Sequence, residues 1–232
     1  MSIETKKRIL EEAQKQFFRY GIKSVSIDDI IQALAISKKT FYEDFTNKNE
    51  LVEVIARNFL QQIEDKINTT LTQKGTIDKI IFLYMFLLES FKKCNAVFLN
   101  DIKKYYPDIF LVFKEFKDNT LKNTFFDLLR EGQREGLFIK DFDTEVIFIM
   151  HMKRFNNIIG RELLPHKDMF DPVFNKIMKI SLIGISTLKG HQIIEEKFNH
   201  QNHFREHLVY GGLFFEICEF DYGESARSKS VL

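Results

Sequence analysis

The sequence predicts an all-α protein with a three-helix head, a long connecting helix and a larger helical body. Three observations carry that expectation. Apolar residues recur at three- and four-residue steps, and no strand-type alternation occurs before residue 208. Only three prolines interrupt 232 residues, so long helices are permitted. Ser, Thr, Asp and Asn stand where helices would start, and Gly where several would stop.

The first helix is expected over residues 4–20, with Ile9, Leu10, Ala13 and Phe17 on one face and Gly21 as its stop. A second follows Ser26, where Asp29 completes a capping-box pattern and Ile27, Ile30 and Leu34 form the buried side. Ser37 caps a short third helix anchored by Phe41 and Phe45. Asn47 with Glu50 opens a fourth. Its Leu51, Ile55, Phe59, Ile63, Ile67 and Leu71 fall at strict four-residue steps, and it ends near Gly75. At about 1.5 Å per residue this is a rod of roughly 37 Å.

The body continues with a helix after Thr76, a shorter one near 95–105 ending before Pro107, and a long one from about 108 to 134. After a loop through Gly136, a helix runs from Asp143 to about Leu164, stopped by Pro165. Another is opened by Asp171-Pro172 and closed by Lys189-Gly190. Residues 191–232 differ, holding four of the six histidines, a Gly-Gly pair and a polar final stretch. They read as a partly disordered extension.

Composition excludes several classes. The chain has 25 Phe and no Trp, is 44% hydrophobic, and is long enough to bury a core without metal or disulfide. Cys94 and Cys218 match no metal or redox spacing, so reduced thiols of a cytoplasmic protein are expected. The N-terminus lacks a signal-peptide pattern. The longest dense apolar run, Ile80 to Leu88, falls far short of the ~20 residues of a membrane span. Net charge is only +1; over residues 1–48 nine Lys or Arg face seven Asp or Glu. Any case for nucleic acid therefore rests on where the cations sit.

They sit on the third helix. Two short helices joined by a tight turn, the second polar outside, have the layout of a helix-turn-helix whose second helix enters the DNA major groove. Ser37 can cap that helix with its backbone N–H groups toward a phosphate, and Lys38 and Lys39 point outward. Thr40 can bond a phosphate or touch a thymine methyl, and Tyr42 puts a hydroxyl at the rim. Lys48 lies on the first turn of the next helix, and Ser26 can reach the backbone on the far side. The plainer alternative is a solvated face of a small bundle. Against it, a structural helix shows a wider apolar stripe than Phe41 and Phe45 supply.

These residues resemble the tetracycline-repressor-like (TetR) transcriptional regulators. The resemblance is carried by Ala13 and Phe17 before Gly21, Ser26-Ile27-Asp28-Asp29-Ile30, Ile36-Ser37-Lys38, Thr40-Phe41-Tyr42, Phe45, Lys48 and Leu51. It covers residues 5–55 strongly and the body only in helix count and in the Gly136-Leu137-Phe138 turn. It implies a DNA-binding domain over 1–48, a helical ligand-binding and dimerisation domain over 49–190, and the extension 191–232. It further implies a homodimer on a roughly palindromic double-stranded operator, released by a small-molecule effector. Phosphate contacts map onto Ser26, Thr40, Tyr42 and Lys48, and base reading onto Lys38 and Lys39. Two departures stand out: Ala35 where the family usually has a turn glycine, and Lys39 where glycine is frequent.

The resemblance also places the intersubunit bundle on the last two body helices. Val146, Ile149, Phe155 and Ile158-Ile159 are candidates there, with Ile177, Ile180-Ser181, Gly184 and Leu188. The same residues suit an intramolecular core equally. Phe82, Phe86, Phe113, Phe116, Phe148 and Met152 could line an aromatic cavity, although such stripes more often pack as core. His200, His203 and His207 would share a helix face, but no carboxylate or Cys completes a metal site. No metal, cofactor or membrane partner is expected. Two rivals to the DNA-binding regulator are an all-helical enzyme and a protein-interaction module without operator binding. The chain has no phosphate loop, His-Glu metal motif or nucleophile elbow, so it is not expected to be an enzyme.

Overall fold

The computed structural model describes residues 3–71, 75–94, 96–159 and 170–199. Among them the order is α1 (Ile3–Tyr20), α2 (Ile27–Leu34), α3 (Lys38–Tyr42), α4 (Lys48–Thr70), α5 (Thr76–Lys92) and α6 (Ala96–Tyr105). Then come α7 (Pro107–Glu115), a π-helical stretch (Phe116–Leu121), α8 (Lys122–Arg134), α9 (Thr144–Ile159), α10 (Phe170–Ile183) and α11 (Leu188–Asn199). The protein is all-helical, as expected. The triplet His200, His203 and His207, together with Pro165, Cys218 and the rest of the extension beyond Asn199, lies outside the described residues, as do the side chains of Phe155, Ile158 and Ile159.

The chain divides into two compact units. The first takes the residues up to Lys66 together with Ser90–Phe116; the second takes Ile67–Glu89 and the described residues from Lys117 to Asn199. In the first, Ile9, Ala13 and Phe17 of α1 are fully buried with Ile30, Phe41 and Leu51. Phe18 meets Phe59 and Phe98 edge-on, with ring centroids 5.3 and 4.7 Å apart. The four-residue stripe of α4 is buried from Leu51 through Ile67, because 100° per residue keeps i+4 steps near one face.

The α1–α2 loop is gripped by α6. Gly21 ends α1 with φ +85°, and its amide donates to the Phe17 carbonyl at 2.9 Å. A Cβ there would stand 2.6 Å from Val97 Cγ1, so glycine serves both the left-handed turn and the close approach. Two residues on, the Lys23 amide donates to Asp101 Oδ2 at 2.8 Å. Asp101 is only 7% exposed, and this bond satisfies a carboxylate that would be costly to bury unpaired.

In the second unit, the turn after α8 organises the packing. Gly136 has φ +71°, and the Leu137 amide returns to the Gly132 carbonyl at 2.8 Å. The Phe138 ring lies over Gly132, where a Cβ would come within 2.3 Å of it. Ile139 N donates to Ile185 O and Thr187 N to Leu137 O, both at 2.9 Å, closing a short antiparallel bridge. Lys79 and Glu131 pair at 2.6 Å, and Lys179 and Glu195 at 2.7 Å.

Two expected helices are corrected. The helix from about 172 to 189 is broken: α10 ends at Ile183, and α11 begins at Leu188. Residues 184–187 turn away to pair with the segment after α8. Thr187 then caps α11, its Oγ1 accepting from the Gly190 amide at 3.2 Å. Gly190, expected as a helix stop, is a buried interior residue of α11. The helix expected over 108–134 is continuous but carries the π-helical stretch. That stretch sets the buried residues Phe116 and Leu121 five apart before the four-residue spacing of Leu121, Phe125 and Leu129 resumes.

Candidate nucleic-acid interface

The helix-turn-helix is built by caps. At the start of α2, Ser26 Oγ accepts from Asp29 N at 3.1 Å, and Asp29 Oδ2 accepts from Ser26 N at 2.7 Å. The Ser26 hydroxyl, and then its amide, hold the Asp29 carboxyl below the usual carboxylate range. The turn is made by Ala35 at φ 52°, ψ 41°, with Ile36 N returning to Ile31 O at 3.2 Å. Ala35 thus occupies the left-handed region that the missing glycine would favour. Ser37 then caps α3: its Oγ accepts from Thr40 N at 3.0 Å and lies 2.8 Å from Thr40 Oγ1.

Within α3 only Phe41 is buried, seated near Phe45 at a centroid distance of 5.8 Å. Lys39 and Tyr42 project outward, Tyr42 being 52% exposed. Ser37, Lys38, Lys39, Thr40 and Tyr42 are therefore brought together on one short, rigidly capped helix, with Ser26 at the far end of α2.

The two remaining lysines have protein partners. Lys38 Nζ lies 2.8 Å from Asp28 Oδ1 and 3.0 Å from Oδ2. That hydrogen bond, with the attraction of the same carboxylate, raises the Lys38 pKa. Lys48 is half-buried. Its ammonium donates to the Ile22 carbonyl in the α1–α2 loop and lies 5.7 Å above the Phe17 ring. Burial pushes its pKa down. Arg8 reaches across α1 to the Leu34 carbonyl at the end of α2, at 3.5 Å.

A family model described as bacterial regulatory proteins of the tetR family matches residues 9–55, the span from α1 into α4. The chain is similar to TetR-family regulators, most plainly over this head. It is a DNA-binding transcriptional regulator of the helix-turn-helix type. Among its relatives, the HTH-type transcriptional repressor KstR2 of Mycolicibacterium smegmatis is 26% identical over 60% of this chain and 70% of its own length. The uncharacterized HTH-type transcriptional regulator YvaF of Bacillus subtilis is 26% identical over 78% of this chain and 95% of its own. The solved structure of the TetR-family regulator PfmR from Thermus thermophilus shares the fold. Its TM-score is 0.60 at 23% identity, over 75% of this chain and 97% of that one.

The second unit has a small cavity of about 10 Å³, room for roughly one water. Phe148 and Met152 line it, with Tyr84, Leu121, Phe125 and His151. Phe82 and Phe86 stack on each other instead, 5.4 Å apart and 6° from parallel. His151 is buried, its ring 4.9 Å from Tyr84 and 5.4 Å from Phe125. Sequence reasoning passed over His151, because a lone histidine in an apolar helix carries no spacing signal. It also missed Asp28 as the partner of Lys38, a pairing across the helix-turn-helix that periodicity does not encode. Among the described residues no helix is long and apolar enough to cross a membrane.

Proposed function

We propose that this cytoplasmic regulator is a ligand-responsive repressor that binds a roughly palindromic operator as a homodimer and is released by a small molecule held in its helical body. The observation that carries this reading is the short capped α3, which presents Lys39 and Tyr42 outward beside Ser37 and Thr40. Recognition helices need that combination of rigid caps, hydroxyls for phosphates and one long side chain for a base edge. The relative KstR2, named a repressor, supports the sign of regulation.

Exposed apolar residues on the body support the second copy. Val146, Ile149 and Met150 share one stripe of α9, and Ile180 and Leu188 are 70% and 78% exposed. Branched side chains left that open suit burial against an equivalent surface. Two heads would then meet half-sites about one helical turn, ~34 Å, apart. For the effector, the cavity lined by Leu87, Phe125, Phe148 and Met152 suits a mainly apolar molecule. Such a ligand would have to expand the cavity, and it would shift the heads by its preference for the expanded state.

The test is selection of duplexes from a random-sequence pool by purified protein, followed by affinity measurements across a salt series. A palindromic consensus bound with a steep salt slope is expected, by a species that sediments as a dimer. Ile180→Glu combined with Ile149→Glu should leave a monomer with far weaker operator binding. No preference over random DNA without added small molecules would sink the repressor reading.

A further inference from the structure

Two lysines flank the start of α3, and only one is committed elsewhere. Lys38 is held by both carboxylate oxygens of Asp28, at 2.8 and 3.0 Å, whereas Lys39 has no ion pair among the described residues. Asp28 is not needed for the capping box at the start of α2, which is made by Asp29 with Ser26. Both members of the Asp28–Lys38 pair are about two-thirds exposed, with side-chain exposures of 66% and 67%. They stand on the first turns of α2 and α3. An ion pair so exposed adds little to stability. Its effect falls on what the head offers to DNA.

We propose that Asp28 is a specificity-determining residue that sequesters Lys38 and so suppresses sequence-independent binding. This rests on the operator reading above. A lysine neutralised by its own protein displaces no counterion from a phosphate, so it adds nothing to the salt-dependent affinity common to all sequences. Freed, Lys38 would act differently on two kinds of DNA. On random sequence the head can settle in whichever register puts that ammonium on a phosphate. On the operator, base contacts fix the register, and Lys38 stays where α3 places it. Release therefore strengthens non-specific binding more than specific binding, and specificity is the difference between the two.

The test uses four full-length proteins: wild type, Asp28→Asn, Lys38→Met and the double variant. Each is titrated across salt with two probes, a duplex selected by the wild type from a random pool and a duplex of scrambled sequence. Asp28→Asn is expected to bind the scrambled duplex roughly tenfold more tightly near 0.1 M salt, with the slope steeper by about 0.9. The selected duplex should gain less, so the ratio between probes falls several-fold. In the Lys38→Met background the Asp28 change should move neither slope nor ratio. Equal gains on both probes, or an unchanged slope, would overturn the proposal. So would a gain that persists without Lys38. Loss of affinity for the selected duplex alone would make Asp28 a base-reading group and also overturn it. If the wild type selects no sequence, the operator reading itself fails, a result distinct from all of these.

Discussion

Gly190 and Leu137 are pressed together backbone to backbone: a Cβ on Gly190 would stand 2.0 Å from the Leu137 carbonyl oxygen. That oxygen already accepts from Thr187 N, so it cannot give way without loosening the bridge between residues 137–139 and 185–187. Gly190→Ala should therefore destabilise the second unit by roughly 1–3 kcal/mol, the usual cost of overpacking. Gly184→Ala, whose nearest contact would be an ordinary 3.4 Å, should be close to neutral. Urea midpoints of the two variants check the contrast; equal shifts would refute it.

Ala35 holds a left-handed turn at φ 52°. Glycine there relieves the Cβ clash but costs more entropy on folding, so Ala35→Gly should stabilise by at most about 1 kcal/mol. Ala35→Val, branched at Cβ, should destabilise by more than that. Thermal melts of the pair give the ordering, and a valine variant as stable as wild type would contradict the turn geometry.

Lys39 and Lys48 should separate cleanly. The Lys48 ammonium ties the first turn of α4 to the Ile22 carbonyl, so Lys48→Ala should cost on the order of 1 kcal/mol of stability and weaken DNA binding on every sequence alike. Lys39→Ala should leave the melting temperature unchanged and relax preference at one operator position. Melting curves beside a selected-sequence logo for each variant decide the matter. A stable Lys48→Ala protein with altered sequence preference would reverse the assignment.

Acid should weaken the second unit through Glu131. Its carboxyl is held below the ordinary glutamate value of 4.5, chiefly by the hydrogen bond from Lys79. A lowered folded pKa stabilises above the unfolded value and loses that contribution as pH falls through the folded one. Glu131→Gln should therefore cost about 1–2 kcal/mol at pH 7. The gap from wild type should close as pH falls below the ordinary glutamate value and through the lowered folded one. Denaturant titrations at stepped pH measure it; a gap independent of pH would dismiss the pair as a source.

The head was legible because its determinants are local. A capping residue and its partner lie three positions apart, as at Ser26 with Asp29 and Ser37 with Thr40, and the α4 stripe repeats every four. The break between α10 and α11 was not, because Gly190 carries the same letter whether it ends a helix or lets a distant carbonyl approach. Only the fold brings Leu137 there. The lysines divide the same way. Their positions on α3 and α4 follow from periodicity, but the Asp28 and Ile22 partners of Lys38 and Lys48 depend on how elements pack. The π-helical stretch carries three successive weak helix formers, Asp118, Asn119 and Thr120, but that composition does not distinguish one extra residue in a turn from a helix end.

The grip of α6 on the loop at Gly21 and Lys23 bears on protein engineering. Chimaeric repressors are made by grafting one regulator's reading head onto another's sensor body. Here the matched stretch of 9–55 is not a portable part. Moved alone, it would leave behind Asp101, Val97 and Phe98, and with them the acceptor for Lys23 N, the wall against Gly21 and the ring beneath Phe18. A graft that keeps its own grammar of DNA reading would have to carry residues 96–105 along with the head.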